Sequence, residues 1–131
     1  TAAQDFGAHA MHDPTEGGLS GGLWEIATAA GVGIIVEESK IPVLPECRAV
    51  CDALGLNPLG LLASGSLLIT LAPAASPGLL RALGAAGVAA AVIGRVVPPE
   101  EGVKMVGREG ITDLPRFARD ELARFLEERF R

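Results

Sequence analysis

Leu19, Leu23, Ile26, Ala27 and Ala30 recur at helical spacing. They predict an amphipathic helix of about 12–15 residues with one apolar stripe, ended by Gly31 and Gly33. Just upstream, residues 8–12 read as the end of a short strand. Asp13-Pro14-Thr15-Glu16 reads as a helix start, with Asp13 as cap, Pro14 at the first helical position and Glu16 closing a capping box. Thr15 is the competing cap. Beyond Gly31 the period changes. Residues 32–36 form a β-branched run, expected as a buried strand, and Pro42 pushes Ile41 into the extended region. Residues 46–54 read as a second helix stopped by Gly55, and residues 57–60 as a loop. Ser64-Gly65 reads as a turn into a strand over 66–71. A further helix is expected over 76–86, a strand over 89–97 broken by Pro98-Pro99, and a pairing of 104–106 with 109–112 around Gly107. The last element is a helix from about Leu114, with Ala118, Leu122, Phe125, Leu126 and Phe130 along one stripe. Alternating strands and helices predict an α/β sandwich, one mixed sheet with helices packed on it. No internal repeat or linker divides residues 1–131, so one domain is expected.

Composition narrows the class. Hydrophobic residues make up 49% of the 131, enough for a real core and unlike a disordered chain. Four Phe, one Trp and no Tyr leave Ala, Val, Leu and Ile to build that core. A net charge of −5, with basic residues scattered or interleaved with Asp120, Glu121, Glu127 and Glu128, argues against a nucleic-acid surface. No apolar run is long enough for a membrane span and no leader pattern opens the chain. A cytoplasmic protein without membrane or nucleic-acid partners is expected. Thr1 is not an initiator Met, which suggests a piece of something longer.

His9, His12, Cys47 and Cys51 are the only His and Cys, and invite a zinc reading. Neither pair has a common zinc-finger spacing. Cys47 and Cys51, four apart on one helix face, rarely close a disulfide there and read as free, small core residues. His12 directly precedes the helix start and either faces a cleft or sits neutral at the surface. Ser64 and Ser66 have no acid–base partner fixed in sequence.

The informative cluster is Gly17, Gly18, Gly21 and Gly22 at the helix start. Each Gly inside a helix costs about 1 kcal/mol relative to Ala. Two compensations are open: close approach to a ligand phosphate, or tight packing on another backbone. Free amides and the positive dipole end suit an anion, but Asp13 and Glu16 would repel bare phosphate unless a divalent cation such as Mg2+ bridges them. Gly18→Ala is expected to keep or raise the melting temperature, since Ala in a compatible helical position stabilises by about 0.4–1 kcal/mol, while weakening nucleotide or substrate binding at least tenfold.

Met11-x-Asp13-Pro14-Thr15-x-Gly17-Gly18-Leu19 resembles the motif that opens the carboxy-terminal domain in the hydrogenase maturation branch of the aminoimidazole-ribonucleotide (AIR) synthase-related superfamily. The resemblance continues through Glu25-Ile26-Ala27, Gly31-Val32-Gly33-Ile34, Ile41-Pro42-Val43, Leu54-Gly55-Leu56-x-Pro58-Leu59, Gly65-x-Leu67-Leu68 and Ile93-Gly94-x-Val96, in the same order over residues 8–97. Other members make AIR, thiamine diphosphate, selenophosphate or formylglycinamidine ribonucleotide, mostly through ATP-dependent activation of an oxygen atom.

The resemblance implies a carboxy-terminal domain that closes the nucleotide or phosphoryl-substrate cleft of an ATP- and Mg2+-using enzyme. Its implied partners are its own amino-terminal ATP domain, a second copy in a homodimer, and a small phosphoryl substrate. It implies cofactor contacts at Asp13, Thr15, Gly17 and Gly18, with Asp13 on Mg2+. Alone, the domain is expected to fold without turning over. Where the hydrogenase branch carries a terminal cysteine that is carbamoylated and dehydrated, no Cys follows Cys51 here. A paralogue of unassigned substrate is therefore expected. The rival expectation is a non-catalytic dimerisation or scaffold module that keeps the fold.

Overall fold

The computed structural model describes residues 7–14, 17–61, 66–117 and 119–129. Strand β1 (Ala10–His12) leads into helix α1 (Gly18–Ala30), and strand β2 (Gly33–Glu37) follows. Helix α2 (Pro45–Leu54), strand β3 (Leu68–Thr70), helix α3 (Ser76–Ala85), strand β4 (Gly94–Val97), strand β5 (Val103–Gly107), strand β6 (Gly110–Asp113) and helix α4 (Glu121–Arg129) complete the order. Helices α1 and α2 end on left-handed Gly31 and Gly55, as their sequences predict.

The strands form two sheets. β1 pairs antiparallel with β3, and a four-stranded mixed sheet runs in the order β4-β2-β5-β6. β2 is the hub: antiparallel to β4 with Ile34 opposite Val96, parallel to β5 with Ile34 opposite Val103. A strand covered on both sides needs apolar residues throughout, and residues 33–36 are all buried. Leu23, Ile26 and Ala27 of α1 pack with Ile34, Val36, Val103 and Leu114 in the core. β5 and β6 form the expected hairpin, with Gly107 opposite Gly110.

Three expectations need correction. Helix α1 does not start at Asp13-Pro14 but at Gly18, with Gly17 as its cap and no side-chain cap bond. Pro14 is instead fully buried where the chain passes under the helix. A Cβ on Gly22 would stand 2.8 Å from Pro14 Cβ and 3.1 Å from Leu68 Cδ1. Glu16 and the capping box lie outside the described residues. The strand expected over 89–97 is only Gly94–Val97. Its partner β2 turns away after Glu37, whose N–H reaches Ile93 O at 2.8 Å. Residues 88–92 run past that end, exposed and outside the sheet. The last helix starts at Glu121 rather than Leu114. Leu114 is drawn into the core, its N–H bonded to Val103 O at 3.0 Å, and residues 114–117 are not helical.

Candidate functional site

The two motif glycines behave differently. Gly18 has φ +67 and lies against the turn of residues 58–61. A Cβ there would stand 2.5 Å from both the Leu59 and Leu61 carbonyl oxygens and 2.8 Å from Leu61 N. No L side chain fits in that space, and φ is outside the helical range. Gly18 is thus required for packing, and the expected gain from Ala at this position is overturned. Gly17 has φ +80, but a Cβ would meet nothing nearer than Gly21 Cα at 3.8 Å. Among the described residues, that position has room for a methyl group.

The first intrahelical bond of α1 is Gly21 N–H to Gly17 O, 3.1 Å. The amides of Gly18, Leu19 and Ser20 therefore precede the ladder and have no intrahelical partner. Gly17 N–H has a partner from the far end of the chain, Asp120 Oδ2 at 2.9 Å. Asp120 Oδ1 accepts the N–H of Leu122 at 2.9 Å. One carboxylate so serves two helix starts. In the first turn of α1, Ser20 is fully buried and its Oγ has no hydrogen-bond partner among the described residues.

The neighbouring residue anchors the other wall. Glu121 is 5% exposed and its Oε2 accepts Asn57 N–H at 2.8 Å. Arg124 donates to it through Nε at 2.9 Å and reaches Gly55 O at 3.3 Å. Asn57 Oδ1 in turn accepts Leu59 N–H at 3.0 Å, shaping the turn on which Gly18 rests. The Arg124 guanidinium holds the Glu121 carboxyl below its ordinary range; burial opposes this and the Asn57 amide supports it. The Phe117 ring lies over Gly60, where a Cβ would come within 2.6 Å of it. Upstream, Trp24 Nε1 donates to Leu114 O at 3.2 Å and Arg116 stacks on the indole, 4.7 Å from its centroid. Asp120 at Gly17, with Glu121 and Phe117 at the 57–60 turn, thereby clasps the glycine turn from one side.

Of the other expected site residues, Asp13 is exposed and Thr15 lies outside the described residues. His12 is half-buried, its Nε2 2.6 Å from Glu25 Oε2. Cys47 and Cys51 are free, Cys51 fully buried. Among the described residues no three or more His, Cys, Asp or Glu gather as a metal site, and no helix is long and apolar enough to cross a membrane. Asp120 and Glu121 were missed from sequence. The Asp-Glu pair at 120–121 is itself a helix-start signal, but the apolar stripe placed the helix earlier.

These features define an α/β domain built around a glycine-opened helix start. The family model described as AIR synthase related protein, C-terminal domain, matches residues 1–106. The chain belongs to that family. Its relatives lie in the hydrogenase maturation branch. It is 43% identical over 95 residues to carbamoyl dehydratase HypE of Rhizobium leguminosarum bv. viciae, covering 70% of this chain and 27% of that protein. The crystal structure of Escherichia coli HypE, a hydrogenase maturation protein, superposes with a TM-score of 0.83 at 35% identity, over 95% of this chain and 40% of that one. A HypE structure in complex with ATP matches with a TM-score of 0.77 at 32% identity, over 86% and 37% of the two chains. The chain thus spans well under half the length of these relatives.

Proposed function

We propose that this chain is the carboxy-terminal part of an ATP-dependent AIR synthase-related enzyme, closing one side of a cleft for nucleotide or phosphoryl substrate. Its amino-terminal ATP domain supplies the other side, and the assembly is a homodimer in the cytoplasm that acts on a small phosphoryl substrate. The observation that carries this reading is the start of α1, where among the described residues a Gly17 Cβ would meet only Gly21 Cα within 4 Å, beside first-turn amides that have no intrahelical partner. Its support is the likeness of fold to a HypE structure with ATP bound.

In this proposal the amides of the Gly17-Gly18 turn hold phosphate oxygens, where the helix dipole adds to their attraction. Thr15 donates a further hydrogen bond. Asp13 is exposed and has no cluster of acidic neighbours among the described residues. It suits Mg2+ as one ligand of an ion that arrives on the phosphates and keeps most of its water. Such an ion neutralises phosphate charge, while the chain's own residues bind and orient. A second reading, the scaffold module, is favoured by one observation: Gly17 N–H is already satisfied by Asp120.

Calorimetric titration of the full-length protein with ATP and Mg2+ separates the two. Gly17→Ala adds a methyl beside the amide. Losing a charge-assisted hydrogen bond of about 1.5–3 kcal/mol there weakens affinity tenfold or more. Unchanged affinity leaves the scaffold reading standing.

A further inference from the structure

Asp120 is placed where an incoming anion would sit. Its Oδ2 is 2.9 Å from Gly17 N, while Oδ1 is 2.9 Å from Leu122 N. Both amides open helices, and a carboxylate there satisfies a free donor and the positive dipole end together. It reaches Gly17 from 103 positions away, on a segment beyond the residues that the family model matches.

We propose that Asp120 is an internal competitor for the phosphoryl group taken by the glycine turn. Without ligand its carboxylate neutralises the start of α1. A phosphoryl oxygen displaces Oδ2 from Gly17, and Oδ1 stays on Leu122, so α4 keeps its cap through the exchange. This inference rests on Gly17 being a phosphate contact and adds how that contact is regulated.

Two further observations point to a ligand at this place. The missing Cβ of Gly17 leaves room beside its amide, with only Gly21 Cα within 4 Å among the described residues. Ser20 Oγ, fully buried in the same first turn, has no partner among the described residues. Helical Cα–Cβ bonds tilt toward the N-terminus, and a hydroxyl without a partner can donate to an oxyanion. The clasp sets the affinity. Every phosphoryl group that binds must first break the Asp120 contact, and the apparent affinity falls by the fraction of molecules in which it is closed.

The test uses the full-length protein with tripolyphosphate as probe, following the Gly17 amide by 15N-resolved NMR alongside calorimetry. Asp120→Asn keeps an oxygen for Leu122 and removes the charge. Asp120→Ser keeps a helix cap of different shape, so the test survives if one variant fails to fold. The expected result is that the variants bind tripolyphosphate about tenfold tighter than wild type, with the Gly17 signal moving at correspondingly lower concentration. If wild type and variants respond at the same concentration, or the variants bind more weakly, Asp120 is only a cap and the competition is overturned while the phosphate contact stands. A Gly17 amide unmoved in all three proteins overturns the phosphate contact and the competition with it.

Discussion

Asn57 and Glu121, 64 positions apart, are joined by a 2.8 Å hydrogen bond from the Asn57 amide to a carboxylate that is almost wholly buried. This bond ties α4 to the turn that supports Gly18. Because Arg124 holds the Glu121 carboxyl below its ordinary range, the unfolded chain binds that proton more readily than the folded one. The resulting stability is full above the ordinary carboxyl value of about 4.3 and is lost as pH falls through the lower folded value. Wild type should therefore lose stability more steeply than Glu121→Gln as pH drops from about 5 to about 3. Glu121→Ala should cost about 1–3 kcal/mol at neutral pH by leaving the Asn57 amide without its acceptor. Denaturant midpoints across pH check both; parallel curves for wild type and Glu121→Gln would remove the linkage.

Gly17 and Gly18 should separate in stability. Gly18→Ala combines a left-handed backbone with contacts of 2.5 Å to two carbonyl oxygens. Strain and overpacking together should cost about 2–5 kcal/mol. Gly17→Ala meets only the backbone term, about 1–2 kcal/mol. Urea unfolding of the two variants reads the difference directly, and equal losses would contradict the packing described for Gly18.

Gly60 and Phe117 should be coupled. A methyl at Gly60 runs into the Phe117 ring, so Gly60→Ala should be destabilising alone and milder beside Phe117→Leu. A double-mutant cycle should give an interaction of about 0.5–3 kcal/mol. Additive losses would show that the ring moves aside freely.

The two thiols should react in sequence. Cys51 is fully buried, and burial pushes its pKa up, with the neighbouring Cys47 thiol adding to the rise. Less thiolate and no access both slow alkylation. Cys47, half-buried on the same helix, should be labelled first in the native protein, and Cys51 only on unfolding. Mass-resolved alkylation kinetics check this; simultaneous labelling would show α2 opening as a unit.

Much of this fold is local in origin and was legible for that reason. The stripe from Leu23 to Ala27, the glycine stops at Gly31 and Gly55 and the hairpin around Gly107 depend on near neighbours. The failures depend on distant ones. Strand β4 is short because β2 ends at Glu37, which residues 89–93 do not encode. The last helix begins late because Val103 captures Leu114, and the stripe that suggested an earlier start leaves Leu122 and Leu126 42% and 44% exposed. In the site, Gly17 and Gly18 were singled out from sequence, but only the fold shows that one packs and the other opens. Asp120 and Glu121 acquired their roles from partners 103 and 64 positions away, which no local pattern reveals.

The position of β2 bears on how the chain is made. Its neighbours are β4 and β5, so Ile34, Ile35 and Val36 emerge from the ribosome well before the residues that will cover them. Until Gly94–Val97 and then Val103 and Met105 follow, this apolar strand has no sheet to join, and closing so long a loop is slow. The nascent chain thus passes through an interval with a sticky, unpaired strand, the state that chaperones bind and that aggregates when they do not. A stop codon shortly before residue 103 would leave β2 without its parallel partner, and the product should be cleared by proteolysis rather than accumulate as a shortened domain.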